Sequence, residues 1–517
     1  MKAYLLYQAQ DFDFGADLPP GHEDLIQDLE LNILLSAMAR GDKFLFEVTR
    51  KVLLACLDDP QAIRYRQQVL IDCLAQPEVI KHMYAVAVGA LQDSRNIWGS
   101  YGGTYQSPAS NLSGAVNQLE AFVPRLRQLR QIADEQAGKF GSDGLRTLFA
   151  TLQRELADDY FEEIGYHLKQ LRFRAGVLVS AELARDNSGF NLVLRAPGDA
   201  RRPWKERLGI GPRSAYSFTI PPRDEAGSQI LSDLTSRGTN LVANAAAQSA
   251  DHIRSYFTML RAELGFYVSC LNLAERLAAK AVPTSFPEPG PPSSVAFSCT
   301  DLRDASLELQ SQDAVVGNDV QADGRPLVII TGANSGGKST FLRSVGLARL
   351  MMQCGLFVTA RSYRANVSRG MFTHFIREED VSMTSGRLDE ELRRMSVIAD
   401  QIGPHCLMLF NESFAGTNER EGSEIGRQVV RALLDAEVQV FFVTHRFDFA
   451  ESFRRQHADS TLFLRAERQP DGRRDYKLAV KDPLPTSFGE DLYYRLGAWL
   501  DEDDAPTPAA MATRQDR

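Results

Sequence analysis

The chain has 517 residues, 44% hydrophobic and 24% charged, and its 58 Lys and Arg against 67 Asp and Glu give a formal net charge of −9. This length exceeds one compact core and predicts about three domains, while the acidic balance excludes a chain that coats nucleic acid through bulk positive charge, leaving a local patch as the route to any such contact. Six scattered cysteines without C-x-x-C spacing exclude a zinc cluster or disulfide framework, and no run of about eighteen apolar residues occurs, so a soluble, cytoplasmic protein with buried reduced thiols and no membrane contact is expected.

From about Gly21 to Glu135 apolar residues recur at helical spacing, as in Leu31, Leu34, Leu35 and Met38, which predicts a helical domain over residues 1–135. Helical patterns resume over Leu145–Leu171 and Asp251–Ala281, the latter with Ile253, Phe257, Leu260, Leu264, Val268 and Leu271 on one stripe. Residues 136–282 therefore form a second helical region. Inside it, Val177–Ser217 holds a strand-like run, Phe190–Leu194, and a loop rich in Gly, Pro and Arg. From Lys169 to Arg213 ten Lys and Arg face four Asp and Glu, a local basic excess in an acidic chain. Two readings of that loop stay open. Trp204 stacks on a base or sugar while Arg201, Arg202, Lys205 and Arg207 meet phosphates, or the loop is solvated and its Trp packs locally. Pro283–Pro292 reads as a hinge, making residues 283–325 the entry to the next domain, and the acidic, Pro/Ala-rich tail over 501–517 is expected to be disordered.

The domain over 326–500 carries the chemistry. Leu327–Ile330 is an apolar run that ends in TGANSGGKST, Thr331–Thr340, and then opens a helix. In that order Gly332, Gly336 and Gly337 let backbone N–H groups close around phosphate oxygens, Lys338 supplies a point charge, and the Ser339 hydroxyl can ligate magnesium, so ATP and Mg2+ are expected ligands. Cys406–Glu412, CLMLFNE, reads as a buried parallel strand with a polar pair at its C-terminal end, where ligands sit in open α/β sheets. Glu412 is placed to orient or deprotonate an attacking water, and Asn411 to hold hydrated magnesium through water. Val438–His445, VQVFFVTH, is a third strand, and His445 at its edge is a candidate sensor of the γ-phosphate.

Together these segments resemble the ATPase domain of the MutS family, the mismatch-repair and related DNA-structure ATPases. Asn334 stands where that family places its loop asparagine. QCGLFVTA, FIREED and SGRLDEEL between Gln353 and Leu392, the SFAGTNEREG stretch after Glu412, and TSFGEDLYYRLG over Thr486–Gly497 follow the family order, and upstream IRYRQQVL and LNLAERLA resemble core and lever segments. The resemblance implies an all-α core and lever region followed by an α/β P-loop NTPase domain of the ABC/MutS type, with the basic loop at the position of a clamp. It also implies a homodimer through the ATPase domains in which Ser385, Gly386 and Arg387 of one chain face the nucleotide of the other. ATP binding and slow hydrolysis would then switch a clamp on mismatched or otherwise unusual DNA, in repair or recombination.

Two departures stand out: Asn411 replaces the family's acidic residue, and Leu388 follows Gly-Arg where a serine is usual. The first predicts weaker Mg·ATP binding or slower turnover. The chain opens almost directly on its helical part, so the mixed α/β mismatch-reading domain is expected to be absent. A different class stays open, an ATP-switched ATPase that grips another protein and never touches DNA. A transporter-type or SMC-like ATPase would need an LSGGQ-type signature, which the sequence lacks.

Overall fold

The computed structural model describes residues 1–100, 108–174, 176–185, 189–195, 219–377, 386–469 and 473–485. The protein has a helical N-terminal region followed by an α/β domain with mixed sheets. By packing it forms two compact units, one of Met1–Ala3, Glu78–Gly141 and Leu145–Leu264, the other of Tyr4–Pro77, Ser142–Gly144 and Gly265 onward.

The N-terminal helices are α1 (His22–Asp28), α2 (Leu31–Ala39), α3 (Lys43–Leu54) and α4 (Pro60–Ala75), followed by α5 (Pro77–Ser100), α6 (Pro108–Gln136), α7 (Asp143–Glu155) and α8 (Asp158–Leu171). Asp42 and Asp59 start α3 and α4 by accepting from the free amides of the first turn, and Pro60 sits where its missing N–H costs nothing. A bulged antiparallel hairpin in the first unit, β1 (Val179–Leu183) with β2 (Gly189–Leu194), is followed in the chain by the long helix α9 (Glu225–Ala279), whose residues up to Leu264 belong to that unit. The apolar stripe predicted this helix from Asp251. It starts at Glu225, and the intervening VANAAAQSA run, Val242–Ala250, buries only the small side chains of Ala243, Ala246 and Ala250.

In the second unit the elements run β3 (Glu288–Gly290), β4 (Phe297–Leu302), α10 (Ala305–Gln310), β5 (Asn318–Gln321), β6 (Leu327–Gly332), α11 (Lys338–Gln353), β7 (Ser362–Asn366), β8 (Met371–Phe375), α12 (Arg387–Ala399), β9 (Leu407–Asn411), α13 (Glu419–Asp435), β10 (Gln439–Val443), α14 (Phe447–His457), β11 (Thr461–Ala466) and β12 (Leu478–Val480). The larger sheet has the order β12-β11-β6-β10-β9-β8, parallel except for β12; the smaller is β3-β7-β4-β5. The proline-rich stretch carries β3, paired with β7, and a bridge from Ser285 to Val358. β6 and β10 are buried along their whole length, as continuous Val, Ile and Phe runs require. Behind them Phe410, Phe442 and Phe449 stack in series, with ring centroids 4.8 and 4.5 Å apart.

The register sets the site. Ile330 pairs with Val443 and Val443 with Asn411, so the residues that follow β6, β9 and β10 emerge together at one edge of the sheet. β6 ends on Gly332 at φ +106, and a Cβ there would collide with the backbone of Ala466 in β11. Gly332→Ala is therefore expected to destabilise the protein by about 1–3 kcal/mol through backbone strain and collision, read as a lower urea midpoint; an unchanged midpoint would show that the strand end relaxes freely.

Candidate functional site

The loop after β6 turns through Ser335 at φ +56 and enters α11 at Gly337, φ +88, a conformation that residues with a Cβ rarely adopt. The loop thus delivers the unpaired first-turn amides of a helix of sixteen residues to the sheet edge, the usual physical basis of an anion site. Asn334, Gly336, Gly337, Lys338, Ser339, Thr340 and Glu412 line one cavity of about 690 Å³, within the range that takes a nucleotide-sized ligand.

Lys338 is buried, and its ammonium donates to the carbonyls of Gly332 and Ala333, each at 3.1 Å. Burial pulls its pKa down; the field of Glu412 opposes that shift, and Arg474 adds to it. The Ser339 hydroxyl donates to Asn411 Oδ1 at 2.9 Å. Glu412 follows at the strand end with φ +53, and its Oε2 lies 3.6 Å from His445 Nδ1. The neighbouring His445 holds the Glu412 carboxyl below the usual range, burial pushes against this, and Lys338 adds to the lowering. Glu412 is accordingly ionised at neutral pH, able to accept from a water rather than to serve as an acid.

Gly386 and Arg387 open α12, Gly386 as its N-cap, and neither lines the cavity. Arg387 instead turns toward Glu391 on its own helix, 3.8 Å away, and the turn after Glu412 packs on this helix start, since a Cβ at Gly416 would fall 2.7 Å from the Leu388 nitrogen. Ser385 lies outside the described residues, as do Arg201, Arg202, Trp204, Lys205 and Arg207 and the Thr486–Gly497 segment. All six cysteines are free, five of them buried. Among the described residues no cluster of His, Cys, Asp and Glu could hold a metal by itself, and no helix is long and apolar enough to cross a membrane.

Several groups at the cavity escaped sequence reasoning. Asp304, Asn318 and Tyr476 line it, and Arg474 donates from Nε to the Asn334 carbonyl at 3.3 Å. Asn318 holds the segment leading into β12 by donating to the Tyr476 carbonyl and accepting from the Leu478 amide. These residues have no shared local pattern. The one sequence signal was a short apolar run, Leu478–Val480, after a polar turn.

Comparison with known proteins finds two domain families, the MutS2 N-terminal domain over residues 58–280 and MutS domain V over residues 328–490. A DNA mismatch repair protein MutS from Chloroflexus aurantiacus is 28% identical over 221 residues, 42% of this chain and 23% of that protein. An Endonuclease MutS2 from Lactobacillus helveticus is 25% identical over 218 residues, 41% of this chain and 28% of that protein. The MutS protein homolog 4 of Mus musculus is 28% identical over 160 residues, 31% and 16% of the two chains. The chain thus spans under a third of the length of each of these relatives.

The buried ammonium of Lys338 yields a prediction with opposite signs in two measurements. Lys338→Met removes a desolvated charge whose partners are carbonyl dipoles, so the nucleotide-free protein should gain about 1 kcal/mol or more and melt higher. The same change should weaken binding of a fluorescent ATP analogue at least about 100-fold; unchanged binding would remove Lys338 from the site.

Proposed function

Because the chain belongs to the MutS family, matching two of its domain families over residues 58–280 and 328–490, we propose that it is an ATP-dependent DNA-binding protein whose P-loop domain binds and hydrolyses ATP to switch a dimeric clamp on DNA. The observation that carries this reading is the convergence of Lys338, Ser339, Asn411, Glu412 and His445 at the ends of three adjacent parallel strands. The loop from Gly332 to Thr340 holds the phosphates, with Asn334, Gly336 and Gly337 close to them and Lys338 supplying the cation. The Ser339 hydroxyl with the Asn411 amide is an oxygen donor pair that suits hydrated magnesium. Magnesium, when bound, neutralises charge on the transferred phosphoryl group. Glu412, kept ionised, orients the attacking water, and His445 beside it senses the γ-phosphate. The Ser385–Arg387 segment of a second copy completes the site, and hydrolysis separates the two.

The DNA-directed part rests on the family: the relatives carry the names DNA mismatch repair protein and endonuclease. Repair or recombination on mismatched or otherwise unusual DNA is the matching role here, with the basic residues from Arg201 to Arg207 as the contact. A second reading, an ATPase that grips a protein partner and never DNA, is favoured by the net charge of −9. Binding of the purified protein to homoduplex, mismatched and four-way-junction DNA across a salt series, with and without Mg·ATP, separates the two. A structure preference that changes with nucleotide supports the DNA switch, whereas absence of binding at low salt turns the reading to the protein partner.

At the hydrolytic site Glu412→Gln should lower kcat about 10²–10⁴-fold with nucleotide affinity retained. Asn411→Asp should tighten the magnesium dependence of ATP binding by restoring a charge beside Ser339. Equal magnesium titrations of Asn411→Asp and the native protein would refute the electrostatic account of that position.

A further inference from the structure

The backbone that carries Glu412 is held in an unfavourable shape. Glu412 and Phe414, at φ +53 and +62, both occupy the left-handed region, with Ser413 between them. Residues with a Cβ avoid that region unless their surroundings over-determine it, and such strain gathers where a side chain must be aimed.

What over-determines this turn is visible. The Glu412 amide donates to the Val443 carbonyl at 2.9 Å, and buried Arg446 donates to the Phe414 carbonyl. Ser413, buried between them, places its Oγ 2.5 Å from the carbonyl oxygen of His374 and 2.7 Å from His374 Nδ1. His374 is in β8, with no exposed surface, and its ring stacks on Phe414 with centroids 5.4 Å apart and planes at 24°. Its Nε2 lies 2.9 Å from the carbonyl oxygen of Glu391 in α12.

The chemistry of these atoms fixes the direction of the chain. A carbonyl oxygen only accepts, so Nε2 carries the ring proton and donates to Glu391. Burial pulls the His374 pKa down to about 4, which leaves the ring neutral and Nδ1 a lone pair. The Ser413 hydroxyl then donates to Nδ1 or to the His374 carbonyl, and either choice ties the turn to the same residue of β8. From Glu391 the connection continues along α12 to its first residue, Arg387, on the same helix.

We propose that Ser413 and His374 are positioning residues of the hydrolytic site, which hold the strained Glu412 turn in its water-orienting geometry and fasten it to the helix that begins at Arg387. The proposal rests on the reading of Glu412 given above. Neither residue lines the nucleotide cavity, so neither is catalytic.

Ser413→Ala deletes one oxygen and leaves the packing of the turn in place. In the nucleotide-free full chain, amide exchange over residues 411–417 should rise about 10-fold while residues 327–345 keep their protection. In the same variant kcat for ATP should fall at least about 10-fold with the Kd for Mg·ATP within about twofold of the native value, because the loss is confined to the aim of Glu412. Ser413→Thr, which keeps the hydroxyl, should restore both. His374→Gln should resemble Ser413→Ala, and the double variant should be no worse than either alone. Native exchange over 411–417 in Ser413→Ala overturns the anchor whatever happens to kcat, and faster exchange with native kcat overturns the positioning role. A native protein that turns over no ATP defeats the hydrolase reading instead, while the exchange result still decides whether the hydroxyl holds the turn.

Discussion

The second unit is organised around helix α11, which has to present a positive charge at its start and yet be enclosed on nearly every side. Thirteen of its sixteen residues are buried, so it cannot present a polar face to water as a surface helix does. Gly346 allows this enclosure: a Cβ there would fall within 3 Å of Leu29 before α2 and of Leu409 in β9. The two arginines of this helix are bonded outward to different elements. Arg343 reaches the carboxylates of Glu30 and of Asp304, the residue that caps α10. Arg349, fully buried, donates to the Asn366 carbonyl, Ser368 Oγ and Gln439 Oε1. Buried guanidinium groups are costly unless bonded in this way, so each arginine fixes the helix against its neighbours as much as it stabilises it.

Charge at the start of the same helix is balanced differently from charge along it. Arg343 has two carboxylates, whereas Lys338 has two backbone carbonyls and the field of Glu412. Asn411 stands where a carboxylate would have supplied a second negative charge, and its amide oxygen accepts a hydrogen bond from the Ser339 hydroxyl instead. Asp304, the other acid lining the cavity, is committed to Arg343. The electrostatics of the cavity therefore lean toward an anion and away from a divalent cation, compared with the same site bearing an aspartate at 411.

The parts of this arrangement legible in the sequence are those with a local signature. β6, β9 and β10 are continuous apolar runs with polar residues at their C-terminal ends, and period and composition are enough to place them. The glycines of the loop after β6 announce their own backbone conformations. What stayed hidden depends on partners far away in the chain. Tyr4–Tyr7 carries no strong periodicity, yet Leu5 and Leu6 are buried because Tyr267 and Arg66 donate to their carbonyls. Nothing in the sequence marks His374, since its contacts are with Ser413, thirty-nine residues on, and with Glu391 in the next helix. The extension of α9 back to Glu225 was missed because its buried stripe, Ala243, Ala246 and Ala250, is made of small side chains that do not stand out as an apolar face.

The same long-range bonding explains why folding units and family domains divide the chain at different places. The MutS2 N-terminal match begins at residue 58, in front of α4, but α4 packs within the second unit rather than with the helices that follow it. Its side chains account for this. Arg64 and Gln67 donate to the carbonyls of Pro289 and Pro287, and Arg66 to that of Cys354, the residue capping the end of α11. One residue earlier, the Gln353 carbonyl accepts from the Leu57 amide in the turn before α4, and the Gln353 side-chain amide donates to the Leu57 carbonyl. The helix that begins at the loop after β6 thus ends as the anchor of the α3–α4 turn. Buried bonds at both ends and along its length tie α11 to the sheet on one side and to α4 on the other.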